Sequence, residues 1–185
     1  NLNSMQEAGY GWNRWKYSAA RQWLNSVQPK GKWWTKQDDW DIAPNQLAQK
    51  DGFLCGMPAE MVAVLKPIKA ITLANNVNDG GATDVTYDKV FLASMSQMNV
   101  NMSKDEGTVH EYWKRRTGSS KPIEPWKKYP CMIRYSAASH ISPQYVFSRS
   151  ASRGSAYSVM LTSADGSVSG TYAWNANTYA PLVFI

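Results

Sequence analysis

From Tyr129 to the C-terminus the chain is a succession of short apolar runs, PCMIRYSA, QYVFSRS, AYSVMLTS, SVSGTYAW and APLVFI, each closed by turn-forming residues. Runs of this length, mixing β-branched and aromatic residues with polar ones, read as strands, and their clustering calls for a sheet built largely from sequence neighbours. The sharpest local signal is Ala164-Asp165-Gly166-Ser167. An Asp-Gly pair between two alternating runs is the chemistry of a type I′ hairpin turn, because glycine accepts the positive φ that the turn requires.

The N-terminal part carries helical signals instead. Ser18 is placed to cap a helix whose apolar face is Ala19, Ala20, Trp23 and Leu24. In DGFLCGMPAEMVAVLKPI, Pro58 suits a first helical turn and Pro67 stops the segment after Leu65. Alternation in AITLANNV predicts a strand before the loop NDGGATD, and DKVFLASM supplies a further apolar run. Thr108 and Glu111 stand at capping-box spacing, which predicts a short helix over EYWKRR with its basic end complementing the helix dipole. Helices first and a clustered, mainly antiparallel sheet afterwards indicate an α+β fold. A length of 185 residues suits one domain, 1–185.

The net charge of +6 raises nucleic acid as a partner, but Lys114, Arg115, Arg116, Lys127 and Lys128 are interspersed with Asp105, Glu106, Glu111 and Glu124. That mixture reads as a solvated face, so no nucleic-acid partner is expected. No apolar run approaches the ~18 residues of a membrane span, so no membrane insertion is expected either. The start, NLNSMQEAGY, has neither an initiator Met nor a signal-peptide pattern and is expected to belong to a mature form or to a piece of a longer protein. Cys55 and Cys131 lack a CxxC spacing and read as small hydrophobic core residues, with a disulfide left open.

Catalytic signals are sparse. His110 and His140 are the only histidines, and neither belongs to an HExxH or another ligand-spaced cluster. There is no GxSxG elbow and no glycine-rich phosphate loop. Asp38, Asp39 and Asp41 read as an exposed acidic turn. No enzyme activity, cofactor or metal is expected.

Binding is better supported. Residues 147–185 contain no Lys, Glu or Gln and are rich in Ser, Tyr, Thr, Gly, Asn and Ala. Rigid aromatic rings among small polar residues are the composition of adaptable binding surfaces. The nine Trp and ten Tyr of the whole chain fit the same picture.

The segments RQWLNS (Arg21 to Ser26), DKVFLASM (Asp88 to Met95) and the C-terminal pattern from FSRS through ADGSV to AP resemble the variable proteins of diversity-generating retroelements. The likeness is to the C-type-lectin-fold domains of gut phages and bacteria. It implies a C-type lectin-like domain with 148–185 as a variable ligand-binding region. In such systems a reverse transcriptase rewrites adenines, chiefly in Asn codons, which then reach Ser, Tyr, Thr, Gly, Asp, Ala and Leu but not Lys, Gln, Glu, Met or Trp. The resemblance thus marks Ser152, Ser155, Tyr157, Ser158, Leu161, Ser163, Ser169, Gly170, Thr171 and Tyr172 as exposed ligand-binding positions. Trp174 aligns with a variable position although its identity is unreachable from an Asn codon. Met160, also unreachable, is expected to be framework, and strand alternation puts Val159, Val168, Ala173, Leu182 and Phe184 in the core.

The resemblance further implies a non-enzymatic receptor-recognition protein, displayed on a virion surface (tail or capsid) or a bacterial cell surface. Its partner would be a protein or glycan on a host surface, and a homotrimer is a plausible assembly. The sugar-binding EPN, QPD and WND motifs of calcium-dependent lectins are absent, so no calcium is expected. Two rivals remain: a fixed carbohydrate-binding module stacking sugars on Trp33, Trp34 and Trp40, and a thiol-dependent oxidase of related fold using Cys55 and Cys131.

Overall fold

A computed structural model describes residues 14–34, 50–73, 83–100, 105–110, 116–117, 121–122, 146–152, 158–162, 168–172, 180–181 and 183–184. Helix α1, Ala19–Leu24, starts where the sequence places it: the Ser18 hydroxyl accepts the Arg21 amide at 3.1 Å. Such a cap contributes about 1 kcal/mol. Ala19, Ala20 and Leu24 are buried, while Trp23 sits edge-on to Phe53 with ring centroids 5.7 Å apart. Asn25 ends the helix and fastens it to the rest of the chain. Its Nδ2 donates to Arg21 O and Val90 O, and its Oδ1 accepts from Lys89 N and Val90 N.

Pro58 caps α2, Ala59–Val64, rather than lying inside its first turn. No residue of α2 is buried, and only Val62 and the following Leu65 lean on the core. Strand β1, Ile68–Leu73, pairs antiparallel with β2, Thr83–Asp88. The expected loop NDGGATD is therefore too long, since Thr83 and Asp84 already belong to β2. Its inward side chains, Asp84, Thr86 and Asp88, are polar and buried, whereas Val85 and Tyr87 are exposed at 44% and 65%. A strand with its polarity turned inside out escapes a search for buried apolar alternation.

Direct partners make that inversion tolerable. Arg14 Nε and Nη2 clasp Asp84 at 2.5 and 2.8 Å, and Arg21 Nε meets Asp88 at 2.6 Å. Asp88 also accepts from Trp15 Nε1 and the Thr86 hydroxyl. Buried charges with direct, multiple partners are the kind a fold can carry.

The DKVFLASM run yields a strand of two residues, β3, Phe91–Leu92. A hairpin of β4, Arg116–Thr117, and β5, Lys121–Pro122, follows. Arg116 thus lies in a strand, not at the end of the expected EYWKRR helix, whose other residues fall outside the described ones. The turn-forming composition of Gly118-Ser119-Ser120 favours pairing across it over helix continuation. Next come β6, Val146–Ala151, β7, Ser158–Thr162, β8, Val168–Tyr172, β9, Ala180–Pro181, and β10, Val183–Phe184. They form a four-stranded sheet ordered β8-β7-β6-β9, antiparallel except for β6 with β9, while β10 pairs with β3. The architecture is α+β with mainly antiparallel pairing.

The expected Asp165-Gly166 turn and the run PCMIRYSA lie outside the described residues. The hairpin itself is present, but Thr162 pairs with Val168 and leaves five residues between them. Two apolar clusters lie on opposite faces of β7. Val159 and Leu161 join Trp15, Leu24, Leu54, Phe91 and Phe147, whereas Met160 packs against Ala93, Met95, Met98 and Val100. No described helix is long and apolar enough to cross a membrane.

The Asn25 junction yields a sharp expectation. Asn25→Asp replaces the donor that serves Arg21 O and Val90 O with a carboxylate facing two carbonyls, and should cost about 2 kcal/mol. A urea midpoint unchanged from the parent chain would contradict it.

Candidate functional site

The exposed candidate positions are held up by an interruption in strand pairing. Phe147 faces Leu161 and Ala151 faces Val159, so three residues of β6, Ser148, Arg149 and Ser150, stand opposite the single Met160 of β7. Such a bulge frees backbone groups and re-aims side chains. The Ser148 hydroxyl donates to Met160 O at 2.8 Å, Ser150 N donates back to Ser148 Oγ at 3.2 Å, and Arg149 N reaches Ala93 O at 3.0 Å. All three bulge side chains are buried.

Arg149 uses every donor it has. Nε binds Thr72 Oγ1 at 2.9 Å, Nη1 binds Leu92 O and Gln97 Oε1 at 2.5 and 2.6 Å, and Nη2 binds Ile71 O and Glu106 O at 3.2 and 3.0 Å. A guanidinium has five N–H groups, so none is left over. Burial pulls this group down to about 10, with Glu106 and Asp88 opposing, and it stays charged at neutral pH. Glu106, expected on a solvated face, is instead fully buried in the same cluster. Its Oε1 accepts Leu73 N at 2.9 Å and its Oε2 accepts the Ser150 hydroxyl. Ser150 Oγ in turn accepts Met95 N at 2.8 Å. His110, the last residue of this segment, is half-buried; burial and then Arg149 hold it below the usual imidazole value.

The candidate binding residues divide on this frame. Ser152 and Ser158 are half-buried and close the base of the β6–β7 connection, Ser152 N donating to Ser158 O at 2.8 Å. Ser169 and Gly170 are exposed and Thr171 is half-buried, all on β8. Tyr172 pairs with Ser158 in register. Ser155, Tyr157, Ser163 and Trp174 fall outside the described residues, as do Ala173 and Leu182.

Two expectations are corrected. Leu161, taken for a binding position, is only 1% exposed because it sits mid-sheet against Phe147 and the main core cluster. Val168, taken for core, is 37% exposed. Leu161 points with Val159 into the main cluster, as strand alternation requires, and the resemblance alone had marked it as exposed; β8, by contrast, ends the four-stranded sheet among the described residues, and Val168 belongs to neither cluster. The outcome is a run of three exposed residues, Val168, Ser169 and Gly170.

Gly170 is open as well as exposed. A Cβ built there would meet nothing nearer than Val159 O at 3.8 Å, an ordinary contact, and its φ is not left-handed. No backbone demand requires glycine. Gly52 contrasts sharply, since a Cβ there would fall 2.4 Å from Ser26 O.

A family model described as Domain of unknown function (DUF6273) matches residues 1–183. The chain belongs to the DUF6273 family. No curated protein and no solved structure matches this DUF6273 chain. Its site must be read from its own chemistry. Among the rivals, stacking on Trp33 is closed off: Trp33 is 5% exposed with Nε1 bound to Lys50 O at 2.9 Å, and Trp40 lies outside the described residues. Of the two cysteines, Cys55 is half-buried and Cys131 is outside the described residues.

The frame and the edge should respond differently to substitution. Arg149→Lys keeps a charge but offers three donors from a single point where five planar ones are used, and should cost about 3 kcal/mol or more. Leu161→Ser leaves a cavity and buries a hydroxyl, with a similar loss. Gly170→Ser should stay within ~0.5 kcal/mol. Chemical denaturation of the three variants checks this order, and equal losses at Gly170 and Leu161 would refute it.

Proposed function

We propose that this chain is a non-enzymatic ligand-binding protein with a C-type lectin-like domain. Its C-terminal strands, within 148–185, form a surface diversified by a retroelement and displayed on a phage particle or bacterial surface to recognise a host protein or glycan. The observation that carries the reading is the contrast between adjoining strands. The SRS bulge of β6 is buried and fully bonded, while β8, one strand beyond β7, exposes small residues that owe nothing to the core. A surface whose residues change without changing the fold needs that division. The open space at Gly170 supports it, because side chains of many sizes fit there. Hydroxyl-bearing Ser169 and Thr171 supply adaptable hydrogen bonds, and Tyr157 and Tyr172 are the proposed aromatic anchors.

Randomising Ser169, Gly170 and Thr171 together should leave the Tm within a few degrees while altering which bacterial cells or arrayed glycans the protein captures. The double variant Tyr157→Ala, Tyr172→Ala should lose capture and keep its Tm. A large stability loss would assign the tyrosines to the core and remove them from the surface. The gene offers an independent check: DNA encoding Ser148 to Ile185 should have a near-copy beside a reverse transcriptase gene, with differences confined to adenines of the copy. Differences at other bases would end the retroelement account.

A further inference from the structure

Three buried acids share the interior of the described residues, and one is held unlike the others. Asp84 and Asp88 each touch an arginine directly, at 2.5 and 2.6 Å. Among the described residues, the Glu106 carboxyl touches none. Its two partners are neutral donors, Leu73 N and the Ser150 hydroxyl, although a carboxylate offers about four acceptor sites. Arg149, the nearby cation, has committed its five donors to other oxygens, one of them Glu106's own main-chain carbonyl. Ionising Glu106 therefore leaves a wholly buried charge met by two neutral donors and, for a cation, only by attraction at a distance.

The position of this group matters. Its bonds run to the end of β1 through Leu73 and to the β6 bulge through Ser150, which passes the connection on to Met95. Its main-chain carbonyl also accepts from Ser94 Oγ and Arg149. One side chain on an irregular segment thus seats that segment against two strands and the turn after β3. We propose that Glu106 is a proton-operated clasp: with a proton on its carboxyl, residues 105–110 stay seated under β1 and β6, and loss of the proton loosens that seat.

The charges around it fix the sign. Burial is the chief cause that lifts Glu106 above 4.5; Ser150, Leu73 and Arg149 pull it back, and Asp105 on its own segment pushes the same way as burial. Asp88 of β2 and His110 interact with Arg149. Between pH 4.5 and the raised value, the folded chain holds a proton that the unfolded chain has released. Stability from this group is thus greatest at acid pH and falls as pH rises through that window. His110 works oppositely: its lowered value adds stability as pH rises towards 6.5. A comparison with Glu106→Gln removes the histidine contribution.

The test uses the full chain and does not depend on any ligand, so it stands or falls apart from the binding proposal. Carbon-detected NMR should give the Glu106 carboxyl a midpoint above 4.5. Amide-exchange protection at Leu73 and Met95, corrected for intrinsic rates, should fall between pH 4.5 and 8 by about tenfold for each unit of that elevation. In Glu106→Gln the fall should be smaller at both amides. A wild-type carboxyl midpoint at or below 4.5 overturns the proposal, as does equal pH dependence in wild type and variant. If the variant does not fold, the wild-type titration and exchange profile decide alone.

Discussion

The bonding of Arg149 is the constraint on which the described structure rests. A buried guanidinium is tolerable only if each N–H finds an acceptor, and here the acceptors come from β1, β3, the turn after it and the 105–110 segment. None of these pieces is extensive: β3 has two residues, and 105–110 has no regular structure. Short elements bury little apolar surface each, so a shared polar centre supplies the mutual orientation that larger elements obtain from packing. The bulge in β6 follows from the same need, because regular alternation would not turn Ser148, Arg149 and Ser150 inward together.

Around that centre, the two other buried acids of the described residues are each matched with an arginine. Arg14 with Asp84 and Arg21 with Asp88 tie the N-terminal helical region to β2. The apolar clusters then fill the space on either side of β7. Polar groups specify which strands meet, and apolar groups make the meeting stable. Among the buried acids of the described residues, Glu106 is the exception that lacks a direct cation, and this gives the centre a proton-sensitive contact.

Elements governed by local chemistry were legible in the sequence. Ser18, Pro58 and Pro67 bound their helices because caps and stops act within a few residues, and β7 and β8 show through their alternation. Long-range bonding was not legible. Nothing near Glu106 in sequence says that it lies beside Ser150, forty-four positions away, so it looked like one more solvated acid. The strand Thr83–Asp88 hid for a related reason, its inward aspartates being acceptable only because Arg14 and Arg21 arrive from elsewhere. At the candidate site, alternation misplaced Val168, since it reports which way a residue points but not whether a neighbour covers that side, whereas Leu161 was misplaced by the family resemblance against the alternation that sets it beside Val159.

The double covering of β7 limits how this chain can change in length. With Val159 and Leu161 seated in one cluster and Met160 in the other, sliding the strand by one residue would exchange their environments and disturb both. Insertions and deletions inside β7 are thereby penalised, whereas replacements of equal length at the exposed Val168, Ser169 and Gly170 of β8 meet no such barrier. The architecture favours variation by substitution over variation by indel, a bias written into the geometry before any selection acts.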